Sequence, residues 1–533
     1  MSNRTGRPKM TFSRIIRCVV WYIIVAIIDF HGVALAKEST SVLWGGLNHG
    51  PYAVGYRVIY AFDKSRTWHV SRTSSEPGFS PDVLGRPVRI SIWYPAIAGD
   101  GKMRIVDYIR NRAPVTFRAA EAALEKRDER VIAERVPAGE FENFMQTSVV
   151  ACREALPAEG PFPLVLYSAG VNGYTESNVV MAEFLASHGL VVATVPSLGD
   201  SDAQPEQAFS TVALETSARD LEFAWSMLRR ESIVDKSGFG TIGHSLGGVV
   251  ALMVALRNSD VLAVAGLDGT YGFAEGHQWL TGSYRYDPQR MQAALLDIRR
   301  ADAQLDLRAV ESFHHSERFF AAMPGMSHAD FTSFVMGAQA FHLDPPRSVP
   351  AGWTRETGFR GYRLVCAAVL DFFSAKLRND NLGLQSLVKD LPNAPIAHKP
   401  AAPLIPSAHE FLSLIHREGI DAAVKMAKEI QSQSPGEVVV NEQIFNQVGY
   451  DLIADKQFGN AVRILELVTC IYPLSANAAD SLGDAYLSAG QREKALAAFR
   501  RTLELVRLDP TLDNAKKIAI ESDAKAKIQT LAQ

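Results

Sequence analysis

The sequence predicts an α/β protein with a doubly wound, mostly parallel sheet, followed by an all-α region of helical repeats. Between residues 86 and 377, apolar strand-like segments alternate with helical ones, a pattern typical of parallel sheets covered by helices on both faces. After a proline-rich stretch, similar residues recur at a regular spacing, from position 449 to 483 and from 461 to 495, which indicates stacked helix pairs. At 533 residues and 47% hydrophobic, the chain is long enough for more than one core.

The N-terminus is typical of a secretory signal peptide. Basic residues precede an apolar run at 18–28, and Ala34-Leu35-Ala36 fits a cleavage site. We therefore predict that residues 1–36 are removed and that the protein is exported to the periplasm or secreted. The alternative is an uncleaved membrane anchor, although Asp29 interrupts a run that is short for a membrane span. Cleavage would remove five basic residues and one acidic residue, changing the net charge from −3 to −7.

Composition gives no sign of nucleic-acid, metal or cofactor binding. No basic stripe stands out, so no nucleic-acid partner is predicted, and no metal-ligand spacing occurs. Cys152, Cys366 and Cys470 remain beyond the signal segment, without close spacing. Cys366 lies in an apolar helical run and is predicted to be core, while a Cys152–Cys366 disulfide stays open in an oxidising compartment.

Residues 37–84 are interpreted as an extended lead-in without an assigned element. Residues 86–95 alternate apolar and polar side chains and end at a proline, which predicts a strand. The charged segment 100–155, with a helix at 117–135, is interpreted as a helical insertion lying over the sheet. Further strands are predicted at 162–168, 190–195, 261–267 and 319–323, and helices at 178–187, 211–230 and 361–377.

These segments form a predicted α/β domain at 85–388. Five prolines within 389–407 predict a linker. Residues 408–533 are predicted to be tetratricopeptide-like repeats, with 409–432 as a capping pair. The positions that this repeat makes equivalent are Gly449 and Gly483, Leu452 and Tyr486, Ala461 and Ala495, and Leu465 and Phe499. A protein-binding surface and a purely stabilising appendage both fit this pattern.

The stretch 243–247, Gly-His-Ser-Leu-Gly, matches the nucleophile elbow of α/β-hydrolases. A strand-like segment precedes it and an apolar helical segment, 249–256, follows, as the motif requires. The glycines allow the sharp turn to close, and the turn exposes the hydroxyl of Ser245. The backbone N–H of Leu246 is then available to a developing oxyanion.

A serine nucleophile needs a general base and an acid that orients it. His328 follows the predicted strand 319–323 and emerges at its carboxyl end, where catalytic groups collect in open α/β sheets. His342 is the reserve candidate. Asp268 directly follows the strand 261–267, which is the first predicted strand after Ser245. The competing acids, one strand later, are Asp287, Asp302 and Asp306, and a plain turn role for Asp268 also remains open.

Several stretches together resemble plasma-type platelet-activating factor acetylhydrolases and their dienelactone-hydrolase-like relatives. They are Gly243–Gly248, Leu267-Asp268-Gly269, Ser327-His328-Ala329-Asp330-Phe331, Tyr167-Ser168-Ala169-Gly170-Val171, residues 186–192 and residues 89–95. The likeness covers about residues 85–375, and Ala169 stands where the family usually has histidine. The resemblance implies that the N–H groups of Val171 and Leu246 form an oxyanion hole.

The sequence therefore predicts a serine carboxylic-ester hydrolase, acetylhydrolase- or lipase-like, with Ser245, His328 and Asp268 as its triad and with no cofactor. The resemblance implies short or oxidised acyl esters, including phospholipid-like ones and hence lipid degradation. Thioesterases, amidases and peptidases share the same triad. The alternative is an exported scaffold whose repeats bind a protein partner while the hydrolase fold is vestigial.

Overall fold

The computed structural model describes residues 41–69, 85–338, 340–380, 396–402, 404, 408–433, 441–510 and 512–532, with Gly383, Leu387 and Ala394. The chain divides into two units, Met1–Pro400 and Ala401–Gln533. The predicted signal segment and much of the predicted linker lie outside the described residues. None of the described helices is long and apolar enough to cross a membrane.

The first unit is built on one 11-stranded sheet. Its strands in chain order are β1 (Ala53–Asp63), β2 (Arg86–Ala96), β3 (Lys102–Arg104), β4 (Ser148–Arg153), β5 (Phe162–Ser168), β6 (Val191–Thr194), β7 (Val234–His244), β8 (Val261–Leu267), β9 (Ala294–Arg300), β10 (Arg318–Met323) and β11 (Ile396–Lys399).

The strand order in space is β11-β10-β9-β8-β7-β5-β6-β2-β1-β4-β3. The six strands from β10 to β6 in this order run parallel to one another. β2 is antiparallel to both β6 and β1, and β11 is antiparallel to β10. This mostly parallel order confirms the predicted fold class. As a consequence, the carboxyl ends of the central strands meet at one edge of the sheet.

Helices cover both faces of the sheet. Alternate residues of β5 contribute to two different clusters of buried apolar side chains, as expected when neighbouring side chains point to opposite faces. The helices of the first unit are α1 (Ile105–Ile109), α2 (Arg118–Ala133), α3 (Phe141–Met145), α4 (Val179–Ser187), α5 (Thr211–Leu228), α6 (Leu246–Arg257), α7 (Ala274–Thr281), α8 (Arg308–Glu311), α9 (Phe334–Gly337) and α10 (Arg355–Arg378).

The sheet is larger than the sequence analysis predicts. The interpretation of 37–84 as a lead-in is wrong for β1, which pairs with β2 along its whole length. The interpretation of 100–155 as an insertion lying over the sheet is also wrong in part, since β3 and β4 extend one edge of it. In β4, a short apolar core of Val149, Val150 and Ala151 inside a charged segment gives the pairing its buried side chains.

Two further strands lie on the other side of the elbow. β9 carries Asp297 between the apolar residues Leu296 and Ile298. Burial raises the pKa of this carboxyl, which accepts a hydrogen bond from Tyr271 and forms an ion pair with Arg299. β11 lies inside the predicted linker, which is therefore wrong as a linker at 396–399. There the His398 ring stacks on Phe319, with centroids 4.5 Å apart.

The described part of the second unit is all-helical. Its helices are α11 (Ala408–Glu418), α12 (Ile420–Gln433), α13 (Glu442–Ala454), α14 (Phe458–Ile471), α15 (Ala476–Ser488), α16 (Arg492–Leu505) and α17 (Asn514–Ala532). α15 and α16 begin and end at the positions that the sequence repeat makes equivalent to the bounds of α13 and α14. The tetratricopeptide assignment itself stays a prediction.

Candidate active site

The elbow lies between β7 and α6. Ser245 has φ 57° and ψ −126°, a left-handed conformation that is costly for a residue other than glycine. A Cβ at Gly247 would lie 2.1 Å from the carbonyl oxygen of Ser168, and one at Gly243 would lie 2.1 Å from that of Gly247. The two glycines are therefore required by close backbone approach, and they hold Ser245 at the end of the central strand.

Asp268 follows β8, the strand beside β7 in the sheet, and is fully buried. Its backbone φ is 44°, and its backbone N–H donates to the carbonyl of Ile298. One carboxylate oxygen lies 2.5 Å from Nδ1 of His328, and the other accepts the backbone N–H of Arg300 at 3.1 Å. Burial opposes ionisation of Asp268, but the hydrogen bond and charge of His328, helped by Arg300, lower its pKa below the ordinary value.

His328 begins a 3₁₀ turn, His328–Phe331, after β10. The carboxylate of Asp330 fixes this turn by accepting the backbone N–H of Ser327 at 2.7 Å and the indole N–H of Trp353 at 2.8 Å. The side chain of His328 is 37% exposed, so one edge of the imidazole contacts Asp268 while the ring remains accessible. The structure thus brings two of the three predicted triad residues into direct contact.

Ser245, Leu246 and His328 line one cavity of about 940 Å³. Among the contacts of the described residues, no hydrogen bond joins the Ser245 hydroxyl to His328. Such bonds are often long before a substrate is bound. Gly170 belongs to the loop after β5, and a Cβ there would lie 3.8 Å from Oγ of Ser245. This loop therefore runs beside the nucleophile.

The two predicted oxyanion donors differ in position. Leu246, the next residue in the chain after Ser245, lines the large cavity. Val171 lines a separate small cavity, with Pro196 and Leu221, and is not among the residues that line the large one. It is placed near Ser245 by its neighbour Gly170, so its role in an oxyanion hole stays a prediction.

The competing residues make other contacts in the described structure. The side chain of Asp287 accepts the backbone N–H of Gln289, and Asp306 pairs with Arg308. Asp302 lies 3.9 Å from Arg300. His342 is exposed and has φ 51°. None of these side chains makes a hydrogen bond to His328 among the described contacts.

His244, the residue before the nucleophile, is a site residue that the sequence analysis misses. Its ring stacks on His328 with centroids 4.8 Å apart and planes 28° apart, and its Nε2 lies 3.2 Å from the backbone oxygen of His328. Because a carbonyl only accepts, Nε2 carries the proton. The position inside the elbow motif is the signal that could have drawn attention to it.

Within the described residues, no group of three or more histidine, cysteine or acidic side chains is placed to hold a metal ion. The three described cysteines are free, and Cys366 is fully buried as predicted. Cys152 and Cys366 do not form a disulfide in the structure.

Sheet order and elbow together define an α/β-hydrolase fold. No protein-family model matches the sequence, and no curated protein matches it. Among solved structures, a ferulic acid esterase from Streptomyces cinnamoneus is similar to this chain at 18% identity, with a TM-score of 0.46 over 65% of this chain and 93% of that chain. A likeness at this level carries no activity over to this chain.

Proposed function

We propose that this protein is a serine carboxylic-ester hydrolase with Ser245 as nucleophile, His328 as general base and Asp268 as the acid that orients it. The observation that carries the proposal is the 2.5 Å contact between Asp268 and His328, whose ring lines the same cavity as Ser245. A buried carboxylate against one imidazole nitrogen leaves the other nitrogen to accept a proton from the serine.

In the proposed mechanism, His328 takes the proton of Ser245 as Oγ attacks the ester carbonyl. The tetrahedral oxyanion is stabilised by the N–H of Leu246 and, on the predicted assignment, that of Val171. His328 then protonates the leaving alcohol, and water hydrolyses the acyl-enzyme by the reverse sequence. Asp268 keeps the proton of His328 on Nδ1 and stabilises the imidazolium.

The finer substrate assignment rests on the resemblance to platelet-activating factor acetylhydrolases, which favours short-chain acyl esters. The cavity supports an ester with an aromatic or apolar group, because Phe209, Phe273 and Trp279 lie along its wall beside Ser245. A small-molecule ester is therefore the proposed substrate class.

The test is hydrolysis of p-nitrophenyl acetate, butyrate and octanoate by residues 37–533, together with labelling by a fluorophosphonate. Ser245→Ala and His328→Ala are expected to lose about 10³-fold or more in kcat/KM. His342→Asn is the matched control for the histidine and should keep activity. If His342→Asn is inactive and His328→Ala active, the base is misassigned; if wild type neither hydrolyses nor labels, the vestigial-fold alternative gains support.

We also propose that the protein is exported with cleavage after Ala36. The support is the sequence pattern of residues 1–36. Intact mass of the exported protein tests it: loss of positions 1–36 agrees with a signal peptide, whereas a full-length product found in the membrane fraction would indicate an anchor.

A further inference from the structure

Two arginines that have no ion-pair partner in the described structure line the cavity that also holds Ser245. Arg135 follows α2, and Arg347 lies in the segment between α9 and α10. They come from parts of the chain far apart in sequence, yet both line the same cavity. A substrate that enters the cavity to reach Ser245 therefore encounters two guanidinium groups.

Within the described part of the chain, neither guanidinium forms an ion pair. Among the described residues, no carboxylate oxygen lies within 4.0 Å of Arg135 or Arg347, the distance that defines an ion pair. The guanidinium of Arg135 instead lies over the ring of Phe334, 5.1 Å from its centroid. That ring is stacked on Phe144, with centroids 6.0 Å apart. An aromatic face therefore holds Arg135 in place without satisfying its hydrogen-bond donors.

The other charged groups of the cavity are of both signs. Arg300 faces the carboxylates of Asp268 and Asp302, and Arg355 donates to the backbone oxygen of Ala338. Asp330 is buried and bonded to Ser327 and Trp353, as described above. Three further carboxylates line the cavity without an ion pair to either free arginine: Glu134, Glu275 and Asp344.

The charge of Arg347 acts on Arg135 within this cavity. Burial lowers the pKa of Arg135; Glu134 opposes this effect, and the positive charge of Arg347 lowers the pKa further. A bound anion relieves the repulsion between two like charges that line one cavity. Arginine is suited to this role, because its planar fork binds carboxylate and phosphate oxygens in pairs.

We propose that Arg135 and Arg347 form a subsite for an anionic group, so that the preferred substrate is an ester carrying a carboxylate or a phosphate on its acid or alcohol part. This inference rests on the proposed ester hydrolysis and specifies the substrate class for it. Arg135 and Arg347 hold the anion while the ester carbonyl lies at Ser245.

The kinetic test compares matched esters that differ in one charge. The pairs are 4-acetoxybenzoate with phenyl acetate, for an anion on the alcohol part, and p-nitrophenyl hemisuccinate with p-nitrophenyl butyrate, for an anion on the acid part. Arg135→Gln and Arg347→Gln are each expected to lower kcat/KM about 10- to 100-fold for the anionic member of at least one pair, mainly through KM, and to leave the neutral member unchanged. Arg230→Gln, an exposed arginine outside the cavity, is the control.

Binding to the Ser245→Ala variant tests the subsite without catalysis. Calorimetry with p-hydroxybenzoate and with phenyl phosphate separates the two anion chemistries, and phenol is the neutral reference. The subsite is supported if either anion binds to Ser245→Ala but not to the double variant that carries both Ser245→Ala and Arg347→Gln. Absence of binding by both anions overturns it.

The two proposals fail in different ways. If wild type hydrolyses neutral esters and the arginine variants reduce both members of each pair equally, the subsite is wrong and the hydrolase assignment stands. If wild type hydrolyses no ester and is not labelled by the fluorophosphonate while the anions still bind, the subsite stands and ester hydrolysis is wrong.

Discussion

At the scale of single residues, the stacked pair of His244 and His328 links the elbow to the proposed base. Burial is the main cause that lowers the pKa of His244 to about 3, and the neighbouring His328 adds to it. His244 is therefore neutral at physiological pH. In that state its Nε2–H donates to the backbone oxygen of His328, which helps to fix the turn that carries the imidazole.

This depressed pKa predicts a pH-dependent stability. As pH falls from about 6.5 towards about 3, the unfolded chain takes up a proton at His244 and the native protein does not, so its contribution is present above pH 6.5 and is lost below it. The slope is up to about 1.4 kcal/mol per pH unit. His244→Asn keeps a donor but cannot titrate. Urea unfolding at pH 7, 6, 5 and 4 should show the free-energy difference between wild type and variant shrinking or changing sign in favour of the variant as pH falls; a constant difference would contradict the assignment.

At the scale of elements, the elbow depends on close approach between α6 and the loop after β5. A Cβ at position 247 would meet backbone oxygens of Ser168 and Ala169 at 2.1 and 2.6 Å, and backbone cannot yield as a side-chain tip does. Gly247→Ala is expected to destabilise the first unit by about 1–3 kcal/mol and to abolish hydrolysis. Gly139→Ala is the control, because a Cβ there has no neighbour within 4 Å. Thermal unfolding and p-nitrophenyl butyrate turnover measure both; an active Gly247→Ala would show that the elbow tolerates a shift.

The helix α2 is attached to the sheet through a buried arginine. Arg89 on β2 is 2% exposed and donates to Glu121 of α2 at 2.9 Å and to Glu176 at 3.0 Å. Arg89→Met leaves two carboxylates buried without their cation, which is expected to cost about 3–5 kcal/mol in the free energy of unfolding. The control is Arg110→Met, which removes an exposed pair to Glu129 on the same helix and should cost about 1 kcal/mol or less. Equal losses in urea unfolding at pH 7 would rule out a special role for the buried pair.

The elements that sequence reasoning identifies are those with an uninterrupted pattern. β2, β5 and β8 are apolar or alternating runs closed by a proline, a glycine or a polar turn, and the structure has all three. β9 escapes prediction because Asp297 breaks its run, and a charge in a strand is understood only when Tyr271 and Arg299 are seen beside it. β1 does alternate, at Val54, Tyr56, Val58, Tyr60 and Phe62, so its pattern is present in the sequence and could have been predicted.

The candidate site likewise contains residues that a local sequence pattern marks and residues that no such pattern marks. Ser245, Asp268 and His328 each follow a strand, and local sequence is enough to propose them because parallel strands bring their carboxyl ends together. Arg135 and Arg347 lie in irregular segments far apart in the chain. No local pattern marks them, since their position in one cavity depends on how the end of α2 and the 340–354 segment pack around it.

At the scale of the whole molecule, each unit has hydrophobic clusters of its own among the described residues. Those of the first unit draw on sheet and flanking helices, and those of the second only on its helices. In the second unit, the close packing of helix pairs depends on small residues: a Cβ at Gly449 would lie 2.7 Å from Leu465, and one at Gly483 would lie 2.3 Å from Phe499. Equivalent glycines thus face equivalent large side chains in the two successive helix pairs.

This organisation predicts that stability of the helical unit and catalysis respond to different substitutions. Gly483→Ala should overpack α15 against Phe499 and destabilise the helical unit by about 1–3 kcal/mol, more than the gain of up to about 1 kcal/mol that alanine brings to a helix. Gly459→Ala, where a Cβ has no neighbour within 4 Å, is the matched control and should be neutral or stabilising. Scanning calorimetry of the full chain should show one transition lowered by Gly483→Ala, with kcat/KM and fluorophosphonate labelling unchanged below that transition. A parallel loss of ester hydrolysis would instead show that the helical unit supports the active site, because separate cores transmit a local packing defect only where they share contacts.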